Sequence, residues 1–283
     1  MRIIRTTQAL RTWRRRQDAA GTAIGLVPTM GALHAGHRSL MQRARRTCRM
    51  VVVSLFVNPL QFGPEEDYRR YPRTLSKDLA RCRDENVDLV FMPKVETLYP
   101  HDFQTTVAVS TLAQRWEGER RPTHFQGVTT VVTKLLNLVR PDRAFFGQKD
   151  YQQYCLIRQL VKDLDLDTRI TLCPTIRDDD GLALSSRNRY VTKTERQQAL
   201  ALYQALSAGK EAIARGTRRA DSVKKRMAKV LGAGHGLDVD YLTCCDARTL
   251  EPLSRLQGTV VLLGAIRVGG IRFIDNFIVR IRR

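Results

Sequence analysis

The chain of 283 residues contains 43% hydrophobic residues and has a formal net charge of +20. This length provides for one large domain or two ordinary ones, and the composition is typical of a globular protein rather than a disordered one. No apolar run is long enough to cross a bilayer, and the first residues lack a signal-type apolar stretch, so we expect a cytoplasmic protein with no membrane partner.

Basic residues and cysteines are both dispersed along the chain. Lysine and arginine cluster at residues 14–16, 43–49, 69–73 and 224–229 without forming one basic tail, and aromatic residues do not alternate with them. We therefore expect no nucleic-acid partner and interpret the charge as a solvated surface that helps to attract an anion such as ATP. The six cysteines include no Cys-x-x-Cys spacing, which disfavours a zinc or redox site.

Short apolar runs alternate with amphipathic stretches in the first part of the chain. In order, the pattern predicts strands at residues 24–28, 50–57, 87–92, 143–146 and 169–175, and helices at residues 39–49, 75–86, 127–139 and 150–164. Strands that alternate with helices form a parallel sheet with right-handed crossovers. The sequence thus predicts an α/β domain of residues 1–176.

The pattern changes after residue 176. It predicts helices at residues 194–215 and 219–231, a loop at 232–236, and strands at 237–243, 259–266 and 271–279. We therefore expect a smaller α+β domain of residues 177–283.

The segment VPTMGALHAGH, residues 27–37, lies between the first of these strands and the helix after it. Ligands bind at the carboxyl ends of strands in an open α/β sheet, and Gly31 and Gly36 permit close backbone approach. His34 and His37 share one face of a first helical turn, beside free N–H donors and the positive end of the helix dipole. Two imidazoles there favour a phosphate site. The alternatives are an ordinary helix start with surface histidines and a metal site, which would need a third ligand.

Two further segments carry groups suited to a nucleotide. In FGQKDYQQ, residues 146–153, Lys149 suits phosphates, Asp150 suits a ribose hydroxyl, and Gln153 lies one turn beyond Lys149. In LSSRN, residues 184–188, two hydroxyls and Arg187 suit a polyphosphate. Taken alone, the first segment is explained equally well as an exposed polar helix start. The second segment, taken alone, is explained better as a turn or helix-capping segment than as a phosphate site.

The segment FVNPLQF, residues 56–62, follows the Val-rich central strand. Asn58 and Gln61 offer neutral donors and acceptors that suit the hydroxyls and carboxylate of a small polar substrate. An ordinary strand end with a polar turn explains this segment better when it is taken alone.

Together these segments resemble the pantoate–β-alanine ligase family, within the nucleotidyltransferase superfamily that carries HIGH-type turns. The resemblance spans nearly the whole chain in the family's order, through PTMGALHAGH, FVNPLQF, YPRTLSKDL, THFQGVTTVVTKLLNLVRPD, FGQKDYQQ, TIRDDDGLALSSRN and, more loosely, RFIDN. It implies a Rossmann-like catalytic domain, a small C-terminal lid domain and a homodimer. It also implies that ATP and Mg²⁺ convert pantoate to pantoyl adenylate, which β-alanine attacks to give pantothenate and AMP.

The resemblance also implies roles for individual residues. It assigns catalysis to His34, His37 (the proton donor), Lys149, Ser185, Ser186 and Arg187. It assigns ATP binding to Met30, Gly31, Ala32, Leu33, His34, Ala35, Gly36, His37, Gly147, Gln148, Lys149, Asp150, Ile176, Leu184, Ser185, Ser186 and Arg187. It assigns substrate binding to Gln61, which would touch both pantoate and β-alanine, and to Gln153, which would hold pantoate, and we add Asn58.

The metal is a point of departure from the family pattern. Some relatives carry several carboxylates after Tyr-Pro-Arg-Thr, whereas this chain has only Asp78 there. We take Asp78 as the candidate magnesium ligand, with phosphate oxygens and water expected to complete the shell.

Two other functions are compatible with parts of the pattern. Another adenylyl-transferring enzyme would share the His34 and His37 turn but would be expected to carry lysine or arginine where Asn58, Gln61 and Gln153 stand. A nucleic-acid-binding protein would account for the charge and would bind with a steep dependence on salt.

Overall fold

The computed structural model describes residues 1–64, 66–232 and 237–281. Its contacts divide the chain into a first unit, Met1–Gly147 with Gln153–Pro174, and a second unit, Gln148–Gln152 with Thr175–Arg283. The predicted domain boundary after residue 176 lies two residues beyond the observed division, and the short Gln148–Gln152 segment belongs to the second unit.

The predicted parallel sheet forms the centre of the first unit. It has six strands, one more than predicted because β1 was missed, in the order β1-β4-β3-β2-β5-β6. Its strands are β1 Arg2–Ile4, β2 Ile24–Thr29, β3 Met50–Leu55, β4 Leu89–Phe91, β5 Arg143–Gly147 and β6 Arg169–Cys173. The chain runs from β2 to β3 on one side and from β5 to β6 on the other. The carboxyl ends of β2 and β5 therefore bound the switch point of the sheet, where open α/β sheets bind ligands.

Helices connect these strands. They are α1 Thr7–Ala19, α2 Ala35–Thr47, α3 Leu75–Asp84, α4 Val95–Leu98, α5 Glu117–Arg120, α6 His124–Val139 and α7 Tyr151–Asp163, with single 3-10 turns at Pro59–Gln61, Leu112–Gln114 and Gln148–Asp150. Neighbouring strand residues point into different cores: Leu26 packs in the cluster that contains α6 side chains, and Val27 packs in the cluster that contains α2 side chains. The sheet is thus covered on both faces, which explains its continuous apolar strands.

The second unit has a three-stranded antiparallel sheet, also as predicted, in the order β7-β8-β9. Its elements are β7 Asp238–Asp246, β8 Thr259–Val268 and β9 Ile271–Arg280, with helices α8 Lys193–Ala214 and α9 Ala220–Gly232 and a 3-10 turn at Ser186–Tyr190. Both helices contribute to a core with β8 through residues such as Leu206, Met227 and Leu262. The predicted loop at 232–236 lies, beyond Gly232, outside the described residues. In the described part of the chain, no helix is long and apolar enough to cross a membrane.

Candidate active site

A tight turn after β2 places His34 and His37 in the first unit. Gly31 and Ala32 both adopt positive φ, at 83° and 48°, and the second value is unusual for a residue with a side chain. The turn begins at Thr29, whose hydroxyl accepts from the Gly31 N–H at 3.2 Å and donates to the Ser54 carbonyl at 2.7 Å. The backbone thus reverses over two residues between strand and helix.

The buried carboxylate of Asp78 holds this turn. Its two oxygens accept from the N–H groups of Ala32 at 2.9 Å and Leu33 at 2.8 Å, and the Thr74 hydroxyl lies 3.2 Å from both. Arg81 donates to the Leu33 carbonyl from the same helix, α3. Asp78 is only 2% exposed, so these donors compensate a charge that burial would otherwise disfavour.

His34 and His37 cap the start of α2 reciprocally. Nδ1 of His34 accepts from the Gly36 N–H at 3.2 Å, and Nδ1 of His37 accepts from the His34 N–H at 3.3 Å. The two rings lie side by side, with centroids 4.1 Å apart. An Nδ1 atom that accepts a hydrogen bond carries no proton, so this geometry assigns the Nε2–H tautomer to both rings.

This capping changes one expectation about the helix start. The sequence predicted free N–H donors there, but the amides of His34 and Gly36 are already bonded to imidazoles, and those of Ala32 and Leu33 to Asp78. These four amides are not available to a ligand. The positive end of the α2 dipole still favours an anion at the turn.

Gln61 lies in the 3-10 turn after β3 and contacts the histidine turn. Its Nε2 lies 3.1 Å from the sulfur of Met30, and its Oε1 accepts from Asn58 Nδ2 at 3.1 Å. Asn58 also donates to the Gly127 carbonyl at 3.0 Å, and its Oδ1 accepts from the Tyr99 hydroxyl at 2.8 Å and the Leu60 N–H at 3.3 Å. The Asn58 amide, 1% exposed, thus has all its bonding groups occupied. This arrangement argues against the direct substrate contact predicted for Asn58.

The first turns of α6 hold the Gln61 backbone, a contact that the sequence analysis did not predict. Nδ1 of His124 donates to the Gln61 carbonyl at 2.8 Å. A Cβ on Gly127 would lie 2.1 Å from the Leu60 carbonyl oxygen, so this helix position requires glycine.

Arg121 makes a two-point ion pair with Glu66, at 2.6 Å for each hydrogen bond. Burial and the Arg121 charge lower the pKa of His124 to about 4.

Lys149, Ser185 and Arg187 line one cleft within the second unit. Lys149 Nζ lies 3.5 Å from the Asp150 carboxylate. Ser185 caps the Ser186–Tyr190 turn by accepting from the Arg187 N–H at 3.3 Å, and Ser186 is buried. The structure therefore brings together, in this unit, three of the residues that the sequence assigned to phosphates.

The remaining candidate residues have simpler surroundings. In the second unit Ile176 is partly exposed, and its carbonyl accepts from the Leu184 N–H at 3.0 Å. In the first unit Gln153 is partly exposed on α7, and Gly147 ends β5 with no atom within 4 Å of an added Cβ. Open space at Gly147 is compatible with the close ligand approach that was predicted there.

The carboxylate of Asp78 is poorly suited to a metal. Both of its oxygens are already acceptors for backbone or hydroxyl donors. Within the described ranges, no group of three or more His, Cys, Asp and Glu side chains is placed to hold a metal ion. The geometry therefore gives Asp78 a structural role in the turn, and its contact with magnesium stays a prediction.

Comparison with known proteins agrees with the fold. A family model described as pantoate-beta-alanine ligase matches residues 2–278. A pantothenate synthetase of Thermotoga petrophila is 47% identical over 278 residues, which cover 98% of this chain and 99% of the relative. The crystal structure of pantothenate synthetase from Thermus thermophilus has a TM-score of 0.93 at 45% identity, covering 98% of this chain and 99% of that one.

A third relative was solved with ligands. The pantoate-beta-alanine ligase of Francisella tularensis, complexed with beta-gamma ATP and beta-alanine, has a TM-score of 0.77 at 35% identity and covers 98% of this chain and 97% of its own. A parallel sheet with a His-Ala-Gly-His turn at its switch point and a small antiparallel domain defines an α/β enzyme with a Rossmann-like sheet. The chain belongs to the pantoate–β-alanine ligase family, and its activity is that of this ligase.

The Asp78→Asn variant separates the structural task from metal binding. It places an amide NH₂ where a carboxylate oxygen now accepts, so we expect a loss of about 1–3 kcal/mol in the free energy of unfolding. Denaturant titration in EDTA without nucleotide measures this loss, because a pure metal ligand has no effect on stability under those conditions. Asp84→Asn, an exposed position on the same helix, is the matched control and should be neutral. Unchanged stability of Asp78→Asn together with a raised Mg²⁺ requirement would contradict the structural assignment.

The pH dependence of stability tests the surroundings of His124. In the folded chain this imidazole stays neutral down to about pH 4, whereas in the unfolded chain it gains a proton near its ordinary pKa of about 6.5. The unfolded state thus binds more protons in this window, and stability falls as the pH falls.

His124→Asn removes this titration and retains an amide donor for the Gln61 carbonyl. Between about pH 7 and about pH 4.5, we expect the wild type to lose on the order of 2 kcal/mol more unfolding free energy than the variant. Urea titrations at both pH values measure the difference, with exposed His101→Asn as control. Parallel pH profiles for the wild type and His124→Asn would show that His124 is not held neutral.

Proposed function

We propose that the chain activates pantoate with ATP, through pantoyl adenylate and pyrophosphate, and then transfers the pantoyl group to β-alanine. The single observation that carries this proposal is the reciprocal capping of His34 and His37, which holds the two imidazole rings with their centroids 4.1 Å apart at the start of α2. A carboxylate is a poor acylating agent, and the adenylate supplies AMP as a good leaving group. The resemblance to family members and the ligands of the Francisella tularensis relative support the same chemistry.

In the first step, the pantoate carboxylate attacks the α-phosphorus and pyrophosphate leaves. Negative charge grows on the phosphate oxygens during this attack, and donors that are already oriented stabilise it most effectively. His34 and His37 provide such donors, and His37 is the proposed proton donor. Met30, Gly31, Ala32, Leu33, Ala35 and Gly36 form the turn that we assign to ATP.

The cleft of the second unit is the proposed site for the rest of the nucleotide. Lys149 and Arg187 bring positive charge to the cleft and Ser185 brings a hydroxyl, which together suit a polyphosphate. We assign the neighbouring Ser186 to the same phosphates. Asp150, 49% exposed, is available to a ribose hydroxyl. Gly147, Gln148, Ile176 and Leu184 complete the proposed ATP-binding set, with Ile176 against the adenine.

Pantoate and β-alanine are assigned to the neutral amides of the first unit. Gln61 touches pantoate and the β-alanine site, and Gln153 holds pantoate. Asn58 acts through Gln61, since its own amide is occupied by Gln61, Gly127, Leu60 and Tyr99. Amides bind hydroxyls and a carboxylate without a fixed positive charge, which leaves the pantoate carboxylate nucleophilic.

Magnesium and the oligomeric state rest on the family resemblance. Mg²⁺ would neutralise charge on the ATP phosphates, and we assign its ligands mainly to phosphate oxygens and water, because the described residues include no group of three or more His, Cys, Asp and Glu side chains placed to hold a metal ion. We also propose a homodimer, which light scattering of the full chain tests. A mass of one 32.3 kDa chain would contradict it.

Pantoate-dependent exchange of labelled pyrophosphate into ATP, measured without β-alanine, tests the proposed reaction. We expect exchange with the wild type because the adenylate forms reversibly before the amine reacts. His37→Ala and Lys149→Ala should lower the exchange rate by about 10²–10³-fold, since each removes a group that stabilises phosphate charge. The matched control is Lys162→Ala, at an exposed position on α7. Exchange that requires β-alanine, or near-normal exchange in both variants, would contradict the proposal.

A further inference from the structure

Two adjacent buried polar residues in the middle of β9 have no role yet in the reaction. Asp275 is 5% exposed and Asn276 is 1% exposed, and both belong to the RFIDN segment. Burial of a carboxylate and an amide is unfavourable unless their bonding groups find partners. The hydrogen-bond partners of Asp275 and Asn276 therefore indicate the role of these two residues.

Asn276 is bonded to the backbone of the turn that carries Lys149. Its Nδ2 donates to the carbonyl oxygens of Gln148 at 2.8 Å and Lys149 at 3.0 Å, and its Oδ1 accepts from Gln148 Nε2 at 3.2 Å. Three hydrogen bonds to two consecutive residues restrict both the position and the orientation of the Gln148–Asp150 turn. This restriction fixes the direction of the Lys149 Cα–Cβ bond.

Asp275 is bonded to the segment that leads to Ser185. Its two oxygens accept from Arg177 Nη1 at 2.6 Å and Nη2 at 2.9 Å, and Oδ1 also accepts from the Asn276 N–H at 2.7 Å. Arg177 in turn donates to the Gly181 carbonyl at 3.0 Å. The Arg177 guanidinium also lies 4.8 Å from the centroid of the Tyr203 ring. Its position is therefore fixed by Asp275, the Gly181 carbonyl and the Tyr203 ring together.

The same segment is closed on itself beyond Arg177. Arg177 pairs with Ala183 in an antiparallel bridge, and the Leu184 N–H donates to the Ile176 carbonyl at 3.0 Å. Gly181 has a φ of +98°, and an added Cβ would lie 2.3 Å from the Tyr203 ring. The pair of Asp275 and Arg177 therefore anchors a short, rigid hairpin whose second strand runs directly into Ser185.

We propose that Asp275 and Asn276 are positioning residues for the nucleotide, which set the placement of Lys149 relative to Ser185 and Arg187. Neither residue needs to touch ATP, because each acts through backbone groups or through Arg177. The cleft lined by Lys149, Ser185 and Arg187 is bounded by two segments distant in sequence, and β9 binds both of them. This inference rests on the ATP role proposed above for those segments. Groups that bind a ligand together must hold their geometry closely, which requires such support.

The test is calorimetric ATP binding to the full-length Asn276→Asp variant. The substitution keeps the shape of the side chain but directs a carboxylate oxygen at two carbonyl oxygens, so the turn must shift. We expect the dissociation constant for ATP to rise by about tenfold or more. The dissociation constant for pantoate should stay within about twofold of the wild type, since no proposed pantoate residue is displaced. A merely structural residue would not produce this selective change.

Three further variants make the result decisive. Asp275→Asn keeps the shape and removes the charge that faces Arg177, and it should weaken ATP binding in the same selective manner, which covers the case that Asn276→Asp does not fold. Ile266→Val, a fully buried change on β8 of the same sheet, lowers the stability of the unit and should leave ATP binding unchanged. Lys149→Ala tests the premise itself.

The outcomes are distinct. Wild-type ATP affinity in folded Asn276→Asp and Asp275→Asn, with Lys149→Ala impaired, overturns the positioning role and leaves the proposed function standing. Equal losses of ATP and pantoate affinity also overturn it, because they indicate general damage. Wild-type ATP affinity in Lys149→Ala overturns the ATP role of the turn, and the inference falls with it.

Discussion

The hydrogen bonds between the Asp78 carboxylate and the backbone of Ala32 and Leu33 are the constraint on which the first half of the site depends. A non-glycine residue at positive φ is unfavourable by itself and persists only where the surrounding structure enforces it. Asp78 enforces it from α3, and Thr29 does so from the end of β2. The helix α2 can therefore begin directly at the end of a buried strand, and the two histidines stand at the switch point of the sheet.

Each unit uses buried polar side chains to hold the backbone of residues that are assigned to substrates. In the first unit Asp78 holds the histidine turn, and Asn58 and His124 hold Gln61. In the second unit Asn276 holds the Lys149 turn. The hydrogen-bonding atoms of Asp78, Asn58 and Asn276 are occupied by protein partners. Fewer residues are therefore left to contact substrates than the polar motifs alone indicate. Preorganisation of this kind lowers the cost of orienting a charged ligand at the moment of reaction.

Much of the fold could be predicted from the sequence, because buried strands leave continuous apolar runs and both domains have regular spacing. The helix α1 was not predicted, since its buried residues are only Leu10 and Trp13 among many polar ones. The helix α2 begins at Ala35, four residues before its predicted start, because a histidine rather than a usual capping residue stands at its N-cap.

The segments that carry the candidate site residues could be recognised in the sequence. The distant side chains that hold the backbones of these segments could not. His124 is 63 residues from Gln61, and Asn276 is 128 residues from Gln148, so no local pattern reports these hydrogen bonds. The structural role of Asp78 was missed for the same reason, since the Ala32 and Leu33 amides that it holds lie more than 40 residues earlier. One available signal was Gly127 inside an otherwise apolar helix, because an interior glycine often marks close backbone approach.

The central claim is that Nδ1 of each histidine in the turn accepts a hydrogen bond at the helix cap, so that Nε2 carries the proton proposed to contact substrate. Nitrogen-15 NMR of histidine-labelled protein at neutral pH measures this directly, because protonated and unprotonated ring nitrogens have different shifts. Spectra of the His34→Ala and His37→Ala variants assign the two rings. The account predicts the Nε2–H tautomer for both residues. An Nδ1–H tautomer, or a doubly protonated ring, at either position would contradict it.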